Sequence, residues 1–165
     1  MMARALLALV MLALAGCATT VRPPVPNIYV VRHLNTPAGV ANAQLTAEGR
    51  ANAVKLADWL RRDPPRTILV SDTDRARDTA APTAARYKAA VLVYDPQDTP
   101  ALIAQVLAST GTVLVVGHSN TVPDIVAGLG GTRPAPLVHE DFGDIWHISG
   151  AGRTTVRTKL PNLGK

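Results

Sequence analysis

Four apolar runs rich in β-branched residues punctuate the chain: Ile28 to Arg32, Thr67 to Val70, Ala90 to Val93 and Gly111 to Gly117. Apolarity that is continuous rather than alternating marks strands of a parallel sheet buried on both faces. Between these runs the apolar residues fall at helical spacing. Ala47, Ala51, Val54, Ala57 and Leu60 predict a helix from Leu45-Thr46 to about Arg62, with Thr46 as cap, Glu48 in its first turn and Asp63-Pro64-Pro65 as its end. Further helices are predicted from near Thr73, over Thr99 to Ala108, and over Ser119 to Leu129, the last with Asn120 as cap and Pro123 in its first turn. Asp144 to Ser149 and Thr154 to Thr158 read as closing strands joined by a hairpin-like turn, Gly150-Ala151-Gly152. This order predicts an α/β fold: a mainly parallel sheet of about six strands, helices on both faces, and an antiparallel edge.

The first seventeen residues, MMARALLALVMLALAGC, follow a different pattern. Arg4 precedes an apolar run, Ala5 to Ala15, that has signal-peptide length and is too short to span a membrane, which takes about 20 apolar residues. Leu14-Ala15-Gly16-Cys17 resembles a bacterial lipobox, in which the Cys becomes the acylated mature N-terminus. The resemblance implies a signal peptide over 1–16, an acylated Cys17 with a Pro-rich tether over 17–26, and a folded domain over 27–165. Ala18 rather than Asp after the Cys implies the outer membrane, facing the periplasm. Cys17 is the only Cys, so neither an internal disulfide nor a thiolate zinc site can form.

Composition narrows the partners. With 165 residues, 47% hydrophobic and 18% charged, the chain suits one ordinary domain. The net charge of +5 is spread along the sequence, with no aromatic interleaved among the Arg residues and no basic run longer than Arg61-Arg62, a pattern that argues against nucleic acid. An anionic substrate suits it as well.

Two of the apolar runs end at a histidine, in VVRHLNT and VVGHSNT, and parallel strands carry their functional side chains at the carboxyl end. His33 and His118 are therefore expected to meet there, with Arg32 and Arg75 beside them. A neutral imidazole can attack phosphorus and split the transfer into two easier steps, while guanidinium groups hold the nonbridging oxygens. Read singly, each Arg could instead pair with a carboxylate and each His cap a strand.

The motifs VVRHLNT, LTAEGRANAVKLADWL, ILVSDTDRARDTAAPTA and VLVVGHSNT, in this order and spacing, are similar to the histidine phosphatase superfamily, which includes phosphoglycerate mutases, acid phosphatases and protein-phosphohistidine phosphatases. The resemblance implies a phosphoglycerate mutase-like fold, His33 as the phosphorylated nucleophile, and Arg32, Arg75 and His118 as the phosphate pocket, with Asn35 and Asn120 at its edge. It implies no cofactor and no metal, and a substrate that is a phosphorylated small molecule or a phosphoprotein. Oligomeric state stays open.

Two positions depart from the family pattern. Leu34 replaces the small residue that follows the Arg-His pair, which is expected to narrow the pocket or shift the loop. Ser119 stands where acid phosphatases place the Asp that protonates the leaving oxygen, so the general acid is unassigned, with Asp95 and Asp98 in the right interval and Glu140 and Asp141 as another candidate rim. His139 and His147 read as surface or packing residues. Two rival readings remain. VVGHSNT approximates a nucleophile elbow that would make Ser119 the nucleophile of an α/β-hydrolase-like esterase, although Thr121 occupies the position that needs Gly. Alternatively, the domain binds an anion or a protein without turnover.

Overall fold

The computed structural model describes residues 26–161. The expected signal segment, Cys17 and all but the last residue of the tether lie outside the described residues. The elements run β1 (Ile28–Arg32), α1 (Ala47–Trp59) continued by a 3-10 turn (Leu60–Arg62), β2 (Thr67–Ser71), α2 (Asp74–Tyr87), β3 (Ala90–Tyr94), α3 (Thr99–Ala108), β4 (Val113–Gly117), α4 (Val122–Gly128), β5 (Asp144–Ser149) and β6 (Thr154–Lys159).

All six strands form one sheet in the order β3-β2-β4-β1-β5-β6. The first four are parallel, with Arg32 level with Gly117 and Val31 level with Val116, while β5 and β6 add the expected antiparallel edge. Successive side chains of a strand face opposite sides, and the core divides accordingly. Ile28, Val30, Val113 and Val115 pack with Leu102 and Val106 of α3 and Ile125 and Val126 of α4. Tyr29, Val31, Leu114 and Val116 pack with Leu56 of α1 and Ala76 and Ala80 of α2. Both faces are covered, as the continuous apolarity of the central runs requires. The strand β3 lies at the edge, and Val91, Leu92 and Val93 are each about half exposed.

Helix boundaries follow local chemistry. Thr46 Oγ1 accepts from Gly49 N–H and caps α1, Thr73 Oγ1 accepts from Ala76 N–H and caps α2, and Asp98 accepts from Ala101 N–H and caps α3. The start of α4 differs from expectation. Its cap position is Thr121 rather than Asn120, because residues 118–121 form a turn in which Thr121 Oγ1 accepts from His118 N–H at 3.0 Å. Gly117 lets this turn sit close to the sheet, since a Cβ there would lie 3.1 Å from Thr121 Oγ1 and from a methyl of Val122. The fold thereby fixes the backbone of His118 immediately past the end of β4. Among the described residues no helix is long and apolar enough to cross a membrane.

Candidate active site

The carboxyl ends of β1, β2 and β4 deliver Arg32-His33, Ser71 and Gly117-His118 to one edge of the sheet. His33 continues the ladder through its N–H to Gly117 O, at 2.9 Å. The rings of His33 and His118 have centroids 5.3 Å apart, so the two histidines meet as the strand pattern required.

The orientation of His33 is set by its own backbone. Nδ1 lies 2.9 Å from Leu34 O, and a carbonyl can only accept, so Nδ1 carries the proton and Nε2 keeps its lone pair. Burial, and then the nearby Arg32, His118 and Arg75, push its pKa down to about 3 against the opposing pull of the Leu34 carbonyl. Near neutral pH the ring is an unprotonated nucleophile. His118 is likewise lowered to about 4, by burial first and then by Arg75 and Arg32. Its Nε2 lies 2.7 Å from Ser71 Oγ, and Arg75 Nη2 faces its Nδ1 at 3.5 Å. A guanidinium can only donate, so Nδ1 accepts from Arg75 and the ring proton sits on Nε2, which donates to Ser71 Oγ.

Arg32 is held from the far side. Its Nη1 donates to the carbonyls of Val138 and His139 at 2.7 and 2.9 Å, and its guanidinium lies 4.2 Å from the centre of the Phe142 ring. One edge of the fork is thus committed to the loop between α4 and β5. The buried Nε–H has no partner, a donor left over beside the cavity. Arg75 stands in the first turn of α2. The Thr79 hydroxyl ties that helix to the nucleophile loop, donating to Arg75 O at 2.7 Å and accepting from Leu34 N–H at 3.0 Å.

Arg32, His33 and Arg75 border a cavity of about 320 Å³ that His139, Thr36 and the loop from Pro37 to Ala43 also line, while His118 contacts His33 and Arg75 without entering the lining. No carboxylate lines this cavity. A larger cavity of about 410 Å³, lined by Tyr29, Trp59 and residues 60–63, opens at the amino ends of the strands. Its carboxylate, Asp63, is bound by Asn27, Tyr29 and Thr112, and its two arginines, Arg61 and Arg62, are exposed to solvent.

Several expected positions are placed differently. Leu34 does not narrow the cavity. Its side chain is buried with Leu45 and Ala53 on the side of α1, and only its backbone serves the site. Asn35 turns the same way. Its Oδ1 accepts from Asn52 at 3.0 Å and its carbonyl accepts from Thr46 N–H, with Gly49 admitting this close approach because a Cβ would collide with that carbonyl. Thr36, not Asn35, lines the cavity, and Asn120 is an exposed turn residue outside its lining. Ser119 is also outside the lining, and among the described residues no hydrogen bond joins its hydroxyl to a histidine, as an esterase nucleophile would need. Asp95 and Asp98 are taken by the backbone N–H groups of Gln97 and Ala101. His147 stacks on Tyr29 at 4.5 Å, a packing role.

Ser71, Thr79, His139 and Phe142 were not singled out by sequence reasoning as parts of the site. Ser71 closes a strand that ends beside β4, a signal that could have found it.

Residues 28–97 match the model of the histidine phosphatase superfamily, branch 1. The match covers less than half of the chain, from β1 to the end of β3 and the turn after it. No curated protein matches the sequence. Among solved structures, the protein histidine phosphatase SixA complexed with tungstate is similar at 20% identity with a TM-score of 0.65, over 83% of this chain and 99% of that one. A mycobacterial glucosyl-3-phosphoglycerate phosphatase is similar at 16% identity with a TM-score of 0.64, over 82% and 98%. A candidate phosphohistidine phosphatase SixA from Nakamurella multipartitia follows at 21% and 0.59, over 86% and 99%. At these identities the likeness shows the fold alone, an α/β fold shared with histidine phosphatases.

Proposed function

We propose that the chain is a metal-independent phosphatase that hydrolyses phosphomonoesters or a phosphorylated protein through a covalent phosphohistidine on His33. The observation that carries this reading is the tautomer of His33: an unprotonated Nε2 at a cavity bordered by two guanidinium groups and free of carboxylates. Folds similar to it belong to proteins named for both substrate classes, phosphoprotein and phosphomonoester.

Nε2 of His33 attacks phosphorus in line with the departing oxygen, forming the N–P bond as the P–O bond breaks. The partial charges on the nonbridging oxygens fall where the Nε–H of Arg32 and the guanidinium of Arg75 can meet them, in a buried place where such donors count for more than in water. Nδ1 of His118, which accepts from Arg75, holds that guanidinium beside the phosphate. Water then cleaves the N–P bond and restores neutral His33. Because the arginines meet the phosphate charge, activity should survive EDTA.

We further propose that Cys17, by its lipobox-like setting, is acylated and holds the domain at the outer membrane facing the periplasm. Two or three acyl chains suffice for stable anchoring. The catalytic reading is tested by assaying the full-length, detergent-solubilised protein on a panel of phosphomonoesters and a phosphohistidine peptide. Release of phosphate from at least one class supports it, and inertness on all would leave an anion-binding domain. The anchor is tested by fractionating cells that carry Cys17→Ser, and undiminished recovery of the variant with membranes would refute it.

A further inference from the structure

Expelling an alkoxide from phosphorus requires a proton at the departing oxygen, and the cavity has few groups that could deliver one. Its guanidinium groups do not release protons, and His33 is spent as the nucleophile. Asp141 and Glu140 act on the charge of Arg32 but neither lines the cavity: Asp141 accepts from Val138 N–H at 2.8 Å, and Glu140 is exposed. His139 remains. Its carbonyl and that of Val138 are gripped by Arg32, and its ring packs edge-on against Phe142 at 5.2 Å. The Phe142 ring lies 6.1 Å from that of His33, so one aromatic ring separates the nucleophile from the second imidazole. The arginine expected to bind phosphate also fixes the loop that carries His139.

We propose that His139 protonates the leaving oxygen, and that the natural substrates are those that need this help, alkyl phosphomonoesters such as polyol or sugar phosphates. The inference rests on the phosphatase reading. In the first half-reaction the His33 lone pair forms the N–P bond, the P–O electron pair goes to the leaving oxygen, and imidazolium His139 gives that oxygen its proton, leaving an alcohol and a neutral ring. In the second, neutral His139 takes a proton from water as its oxygen attacks phosphorus. The N–P pair returns to His33, inorganic phosphate departs, and His139 is again protonated.

The test compares glycerol 3-phosphate, whose leaving group needs a proton, with p-nitrophenyl phosphate, whose leaving group does not, on the full-length solubilised protein. His139→Ala and His139→Gln should each lower kcat/KM for glycerol 3-phosphate about 10²-fold or more while lowering that for p-nitrophenyl phosphate less than about tenfold. Glu140→Gln should leave both unchanged. The p-nitrophenyl rate also reports that the variants remain folded. Equal losses on both esters, no loss on either, or a leaving-group-selective loss in Glu140→Gln would overturn the assignment. Wild type that cleaves p-nitrophenyl phosphate but not glycerol 3-phosphate would overturn it while sparing the phosphatase reading; wild type inert on every phosphorylated compound would remove both.

Discussion

The two edges of the sheet are built from similar residues and do opposite things with charge. At the amino ends of the strands, the Asp63 carboxylate is met by Asn27 Nδ2 at 3.0 Å, Tyr29 OH at 2.9 Å and Thr112 Oγ1 at 2.5 Å, joining the turn after α1 to the starts of β1 and β4. At the carboxyl ends, Arg32, Arg75 and the lowered-pKa imidazole of His33, backed by that of His118, face a cavity with no carboxylate in its wall. A buried cation left without an anion is costly, and a protein gains nothing in stability by keeping one. The difference between a satisfied edge and an unsatisfied one therefore separates a structural clasp from a site awaiting an anion, even though the clasp borders the larger cavity.

Mutations should separate the two edges. Arg75→Ala and His118→Ala should each lower the rate on the order of 10²-fold, as removal of a preorganised donor does elsewhere, with little change in the thermal midpoint. Asp63→Ala should do the reverse: it strands three donors and should cost about 2–4 kcal/mol in denaturant unfolding, while kcat of the folded fraction holds. Should Asp63→Ala abolish activity at unchanged stability, the division of labour is wrong.

Acid distinguishes the edges more gently. His33 and His118 are lowered from 6.5 to about 3 and about 4 in the folded protein, so unfolding takes up protons at their expense. Their neutral state favours folding in full above about pH 6.5 relative to acid, and stability should fall as pH drops from there toward 4. In His33→Gln the midpoint should vary less over this window, and an unchanged slope would contradict the depressed pKa. The smallest effect is expected for Ser119→Ala, whose hydroxyl stands outside the cavity; its kcat/KM should match wild type on every active substrate, and a large loss would revive the esterase reading.

Much of this was legible in the sequence because parallel strands announce themselves twice. Continuous β-branched runs located β1, β2 and β4, and the histidines that follow β1 and β4 marked the end of the sheet at which they meet. Residues fixed by strand geometry, Arg32, His33 and His118, were accordingly found. What escaped depends on loop conformation and on which way a side chain turns. Leu34 and Asn35 follow the nucleophile directly, yet their side chains face α1, a direction set by the 33–36 loop rather than by strand alternation. His139 sits 106 positions after His33, in a segment without periodicity, and reaches the cavity only because Arg32 captures two carbonyls there. No pattern of apolar and polar residues encodes that capture. The cap of α4 was misassigned for a related reason: Thr121 closes a turn on His118, and either Asn120 or Thr121 satisfies a rule based on residue type alone.

The central claim is that His33 becomes covalently phosphorylated, and the most direct measurement is to trap it. Brief incubation of the wild-type protein with a ³²P-labelled phosphomonoester or phosphohistidine peptide that it turns over, quenched in alkali, should leave label on the protein that survives base and is lost in acid, as expected for a phosphoramidate. Peptide mapping should place it on His33, and His33→Ala should abolish both label and turnover. Label that is stable to acid, label mapped to another residue, or turnover that persists in His33→Ala would contradict the account.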